Sequence, residues 1–306
     1  SHDLIFKSKQ FLTFYNDHYF SENKKISLGK NWLDKRIYGK VKMGIEENFS
    51  KSQIVGKIPE YMRDEDRIKI LISLSTEWEV GGVIENKRYF YNNQYNSIKK
   101  IVNYFEKNNK LLFIIKVHPQ HKNFDKKLEQ DYKKFDLYEN VKVISSDNFY
   151  DTYAIINNSD IVITFISLTG PESAYLGKRV ICIGPSSYEL FKLSENPKTS
   201  NELFDLILKF KKEQNYDYNQ AKINACKWAF ARSWSGTKSK YIFKDKFNNL
   251  LMIKDNNKTK IKSNIFYNHY NNIFKVYYLI KKLILKKKMN YSNYKKIFKV
   301  FKDDAY

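Results

Sequence analysis

Two cysteines in 306 residues, Cys182 and Cys226, leave no room for a disulfide framework or a cysteine-based metal site. This pattern fits a reducing cytoplasm. Only ten glycines and five prolines exclude a collagenous or wholly disordered chain. No apolar run approaches the roughly 20 residues needed to span a bilayer. The start, Ser1-His2-Asp3, has neither Met nor the apolar stretch of a secretory signal, and reads as a fragment or the scar of a tag. Acidic residues are also scarce, 33 Asp and Glu against 55 Lys and Arg. The imbalance is uneven: residues 251–306 hold 14 Lys and three Asp, a net +11 out of +22. A tail this basic points to an anionic partner, membrane lipid or nucleic acid.

What the chain does have is enough apolar material for a real core, with hydrophobic residues at 42% and aromatics at 16%. Apolar runs alternate with helical patterns. Strands are expected at Ile68–Leu74, Leu111–Val117, Val141–Ile144, Asp160–Phe165 and Arg179–Ile183. A helix is expected over Tyr89–Asn108, where Ile98, Ile101, Val102 and Phe105 recur at spacings of three and four. Shorter helices are expected over Tyr150–Asn157 and from Pro171 to Leu176, the latter with Gly177 as its left-handed stop. Gln10–Tyr19, Lys30–Ile37, Ser200–Glu213 and Tyr218–Trp234 also read as helical. This alternation defines an α/β unit around a parallel sheet, with ligands expected beyond the carboxyl ends of the strands. Four regions follow: an N-terminal segment 1–66, the parallel-sheet domain 67–195, closing helices 196–250 and a basic amphipathic helical tail 251–306.

The candidate chemistry lies at those strand ends. Lys116-Val117-His118-Pro119 puts a cation and an imidazole where one buried strand leaves the sheet. A phosphate there would meet donors from both; the plainer reading is a strand that ends in His-Pro. Ser167-Leu168-Thr169-Gly170-Pro171-Glu172 joins another strand to a helix, where hydroxyls and free amides favour an anion. The plainer alternative is a capping box, Thr169 as N-cap and Glu172 three residues on. Ser75, Thr76, Glu77 and Glu79 follow the first strand, and a carboxylate among them is a candidate general base. Asp147, Asn148 and Tyr150 either line a base pocket or cap a helix. Asp64-Glu65-Asp66 precedes its strand and reads as a solvated turn. His118 and His121 lack the further ligands of a zinc site. Ser235-Gly236-Thr237-Lys238 lacks the strand and the full pattern of a phosphate-binding P-loop.

Lys116-Val117-His118-Pro119, Ser159–Thr164 and the run from Ser167 through Gly170-Pro171-Glu172 to Gly177-Lys178-Arg179 together resemble capsule-polysaccharide glycosyltransferases. The likeness is to their C-terminal nucleotide-binding half, as in 3-deoxy-manno-octulosonate (Kdo) transferases. Polysialyltransferases and teichoic-acid glycerophosphotransferases are similar in the same region. The resemblance covers roughly residues 67–195. It implies a GT-B-like, Rossmann-type domain and a CMP-activated donor, Kdo or a related 2-keto sugar, with no metal or other cofactor. By resemblance His118, Ser167 and Thr169 contact the donor phosphate and Glu172 lies near the ribose; Lys116, Gly170, Ser75 and Thr76 join the expected donor site by their own positions at the strand ends. His118 and Glu77 take the catalytic roles. Residues 1–66 are too short for a full acceptor domain.

Ile273–Lys302 mixes aromatics, aliphatics and lysines as an interfacial membrane helix does. This predicts a peripheral protein on the inner face of the bacterial cytoplasmic membrane, with a glycan or lipid-linked acceptor. A solvent-exposed closing helix is the plainer reading. A CDP-glycerol-type phosphotransferase, a UDP-sugar epimerase-like enzyme and a non-catalytic relative remain alternatives. A nucleic-acid-binding protein is the non-enzymatic one, although no nucleic-acid module is present.

Overall fold

The computed structural model describes residues 4–38, 53–63, 66–76, 93–119, 121, 126–210 and 216–235, together with three later strands. Two compact units divide the chain, Ser1–Gly236 and Thr237–Tyr306.

The first unit is built on five parallel strands: β1 (Ile68–Ser73), β2 (Leu111–Lys116), β3 (Val141–Ile144), β4 (Ile161–Thr164) and β5 (Arg179–Cys182). Their order across the sheet is β3-β2-β1-β4-β5. The chain builds outward from β1 to β3, then returns to the other side of β1 for β4. That reversal leaves a crevice outside the carboxyl ends of β1 and β4, the usual ligand position in a doubly wound sheet. All five strands fall where the apolar runs placed them; β3 has the expected bounds and the other four are one or two residues shorter.

Near-continuous apolar strands need cover on both faces. On one face Ile70, Ile72, Phe113, Ile115 and Ile163 pack under α3 (Gln94–Phe105) and α7 (Ser200–Leu208). On the other, Leu71, Leu112, Ile114 and Val162 pack against Ile155 and Ile156 of α5 (Thr152–Asn157). A third cluster fills that side beyond β5. There Phe11 and Tyr15 of α1 (Leu4–Asp17) and Leu33 of α2 (Glu22–Ile37) meet Ala174 of α6 (Thr169–Tyr175). Trp228 and Phe230 of α8 (Tyr218–Trp234) complete it. Between β2 and β3 lies α4 (Lys126–Lys133). The helices of the expected N-terminal segment 1–66 thus share a core with α6 and α8.

Two glycines are fixed by geometry. A Cβ on Gly29 would lie 1.9 Å from the Cys226 carbonyl oxygen, so α2 and α8 touch backbone to backbone. Gly177, at φ +76°, ends α6 as the sequence predicts. Its amide bonds to Ala174 O at 3.1 Å and Lys178 N to Ser173 O at 2.9 Å, a Schellman stop.

The second unit contains an antiparallel sheet of β6 (Ile242–Lys244), β7 (Leu250–Lys254) and β8 (Asn257–Lys260). Residues 251–260 therefore depart from the expected helical tail. Only Asp255 and Asn256 separate β7 from β8, and such short Asx-rich links favour hairpins over helix continuation. Residues 273–302, expected to meet a membrane, lie outside the described residues. Among the described residues no helix is long and apolar enough to cross a membrane.

Candidate functional site

The last rung of the sheet carries the site's chemistry. Strand register aligns Ile144, Lys116, Ser73, Thr164 and Cys182 side by side across the five strands. Side chains alternate along a strand, so these residues share the face of Leu71, Leu112 and Val162. A sheet interior should be apolar here, yet the three central positions are a lysine, a serine and a threonine.

Lys116 is 5% exposed. Among the described residues it has no carboxylate partner, and burial pulls its ammonium down to about 8. A desolvated cation without a counter-charge is unstable in isolation and favours an incoming anion. His118 follows two residues later, half-buried. Burial first, then the neighbouring His121 and Lys116, hold it down at about 4. At neutral pH its imidazole is uncharged, suited to donating one N–H and not to acting as a cation. His121 N bonds to His118 O at 3.0 Å and closes the turn.

The β4–α6 turn differs from its expected form. The helix already begins at Thr169, because Leu168 takes the αR conformation at the N-cap position and makes no side-chain cap. Thr169 is therefore not a cap, and the capping box does not form. The amides of the first helical turn are also not free. Thr169 N bonds to Ser167 Oγ at 3.2 Å, Gly170 N to Ser167 O at 3.1 Å, and Glu172 N to Leu168 O at 3.2 Å. Pro171 has no amide hydrogen. An anion at the first turn of α6 would therefore not find the amides of Thr169, Gly170 or Glu172 free. Gly170 has a packing reason instead: a Cβ there would lie 2.6 Å from the Tyr188 hydroxyl. Tyr188 in turn donates to Ser167 O at 3.3 Å and pins the turn.

The hydroxyls form a chain. Ser73 Oγ donates to Thr169 Oγ1 at 3.2 Å, and Thr169 Oγ1 lies 2.9 Å from Ser167 Oγ. This joins the end of β1 to the β4–α6 turn across the switch point. Thr164 Oγ1, buried on the same rung, has no hydrogen-bond partner among the described residues.

Other expected residues have structural partners. Glu172 is buried, and its Oε1 accepts from Arg36 Nε of α2 at 2.8 Å, with side chains 7% and 12% exposed. Arg36 also lies over the Trp32 ring, 5.0 Å from its centre. Ser75 and Thr76 are buried. Gln94 grips Ser75 from both sides: Ser75 N donates to its Oε1 and its Nε2 donates to Ser75 O, each at 2.9 Å. The Asn148 side chain is committed within its own turn, to Ser145 O and Tyr150 N. Asp151, not Asp147, caps α5. Glu77, Glu79, Asp64 and Glu65 lie outside the described residues. Among those described, no three of His, Cys, Asp and Glu converge as metal ligands.

Sequence reading missed Ser73, Gln94, Arg36 and Tyr188. A serine closing an apolar run and a glutamine on the buried stripe of α3 were the available signals. Arg36 and Tyr188 carry none.

Fold and site together define a doubly wound α/β unit with a cationic, hydroxyl-lined carboxyl edge. Within it, residues 87–220 match the family described as capsule polysaccharide biosynthesis protein. That stretch runs from before α3 into α8 and is similar to the family that the motifs resemble. No curated protein matches the chain. Among solved structures, the chain is similar to the KpsC beta Kdo 2,4 transferase of Thermosulfurimonas dismutans, with 15% identity and TM-score 0.44. The match covers 82% of this chain and 64% of that one. The KpsC beta Kdo 2,7 transferase of the same organism gives 15% identity and TM-score 0.40, covering 84% and 65%. UDP-GlcNAc 2-epimerase of Neisseria meningitidis gives 12% and 0.41, covering 66% and 50%. The chain thus spans less than two thirds of the length of these proteins. The likeness is too distant to transfer a residue's role.

Proposed function

We propose that this chain is the nucleotide-sugar-binding half of a glycosyltransferase of bacterial capsule synthesis. In this reading it transfers a sugar from a CMP-activated donor, Kdo or a related 2-keto sugar, to a glycan or glycolipid acceptor. The observation that supports it is Lys116, a buried cation without a counter-anion among the described residues, beside hydroxyls at the switch point of a capsule-synthesis segment. When a glycosyl bond to phosphate breaks, negative charge grows on the departing phosphate. Lys116, the neutral imidazole of His118 and the hydroxyls of Ser167 and Thr169 would stabilise that charge, and a fixed, dry site makes such groups most effective. No metal or other cofactor is required in this scheme. Glu77, one residue beyond Thr76, takes the role of general base toward the acceptor hydroxyl. The lysines of 273–302 would hold the enzyme on the anionic inner leaflet, where a lipid-linked acceptor resides.

The test is calorimetric titration with CMP, CDP and UDP, for the protein and for His118→Ala. Binding of the cytidine nucleotides, weakened by roughly tenfold or more in the variant, supports the reading. A preference for UDP would move the assignment toward UDP-sugar chemistry, and no binding by any of the three would refute the donor site.

A further inference from the structure

Nothing so far explains why a serine stands at position 73. The strand around it is largely apolar, and among the described residues no side-chain hydrogen-bond partner of Ser73 is charged. Among the described residues its side chain makes one hydrogen bond, the one it donates to Thr169 Oγ1. That contact has a directional consequence.

Each hydroxyl has one proton to give and two lone pairs to receive. Thr169 Oγ1 receives the proton of Ser73, which favours directing its own proton onward to Ser167 Oγ, 2.9 Å away. Ser167 Oγ also accepts from Thr169 N at 3.2 Å. With two protons arriving, the O–H of half-buried Ser167 is left to donate to a ligand. Successive donation also polarises the last hydroxyl and strengthens it as a donor. Without Ser73, Thr169 and Ser167 can exchange roles, and Ser167 can direct its proton inward to Thr169 instead. Lys116 is the neighbour of Ser73 on the rung, so the hydroxyl chain starts beside the buried cation and ends in the turn after β4.

We propose that Ser73 is a positioning residue: it fixes the direction of the chain Ser73–Thr169–Ser167 so that Ser167 presents its O–H to the phosphate of the bound nucleotide. This rests on the nucleotide-binding reading above and names how that site selects a phosphate.

The experiment is a mutant cycle with Ser73→Ala, Ser167→Ala and the double variant, each titrated with CMP and with cytidine, which lacks the phosphate. Ser73→Ala should weaken CMP by about tenfold. Cytidine affinity and melting temperature should stay close to those of the parent protein. The double variant should lose no more than Ser167→Ala alone, because both single changes remove the same donor. Equal losses for CMP and cytidine would mean that Ser73 is merely structural and would overturn the proposal. So would additive losses in the double variant, or unchanged CMP affinity in Ser73→Ala. If the parent protein bound CMP and these results followed, only the Ser73 role would fall. If it bound neither ligand, the nucleotide reading itself would fall.

Discussion

Replacing Lys116 by Met should make the protein more stable and unable to hold a phosphate. The side chain is 5% exposed and its stem lies on the rung between Ile144 and Ser73, so Met fills nearly the same space without the charge. Burial lowers the ammonium from 10.5 to about 8. That fall corresponds to roughly 3 kcal/mol of desolvation carried by the folded state near neutral pH. Removing it should raise the melting temperature of the first unit by about 6–10 °C. The pH dependence has a definite sign. A lysine with a depressed folded value destabilises fully below that value, and the penalty fades as pH rises toward the unfolded value. The gap between Lys116→Met and the parent should therefore be widest near neutrality and shrink substantially by about pH 10. Thermal unfolding followed by circular dichroism at both pH values measures it. Alongside, CMP affinity should fall by about a hundredfold, the worth of one charge-assisted contact. A less stable variant, or a gap independent of pH, would refute the idea that burial of this cation goes uncompensated among the described residues. Retained CMP binding would refute its role in the site.

Arg36→Ala should cost roughly 1.5–3 kcal/mol, because it removes a charge-assisted bond to the buried carboxylate of Glu172; denaturant unfolding reads the loss directly. Gly29→Ala should destabilise by about 3 kcal/mol or more, since its Cβ would meet the Cys226 carbonyl at 1.9 Å and neither helix backbone can yield cheaply. Cys182, buried and pushed up to about 12, and Cys226, pushed up to about 11, should resist thiol reagents at mildly alkaline pH. Spectrophotometric titration with a chromogenic disulfide should count two thiols only after denaturation.

The sheet was legible because buried parallel strands are written as apolar runs, and all five lie where those runs stand. Lys116 and His118 were legible as chemistry because they close such a run with polar groups. The β4–α6 turn was read correctly as a strand-to-helix junction but not in detail. Thr169 looks like an N-cap from its spacing to Glu172, yet the αR conformation of Leu168 starts the helix a residue early and consumes the amides. The Glu172–Arg36 pair spans 136 positions in sequence and belongs to tertiary packing, to which local patterns are blind. Ser73 was hidden by its apolar neighbours, since its meaning depends on which strand lies beside it. The strands of residues 250–260 were overridden by reading the lysines that follow as one long amphipathic helix.

The backbone contact between α2 and α8 also has a consequence for how the chain is made. Roughly 200 residues separate the end of α2 from the end of α8. At a synthesis speed of about 5–20 residues per second that interval lasts about 10–40 s. Throughout it Phe11, Tyr15 and Leu33 have emerged while Trp228 and Phe230, which cover them, have not been translated. The newborn N-terminal helices therefore wait with apolar faces open to the cytosol, the period in which a chaperone would engage them.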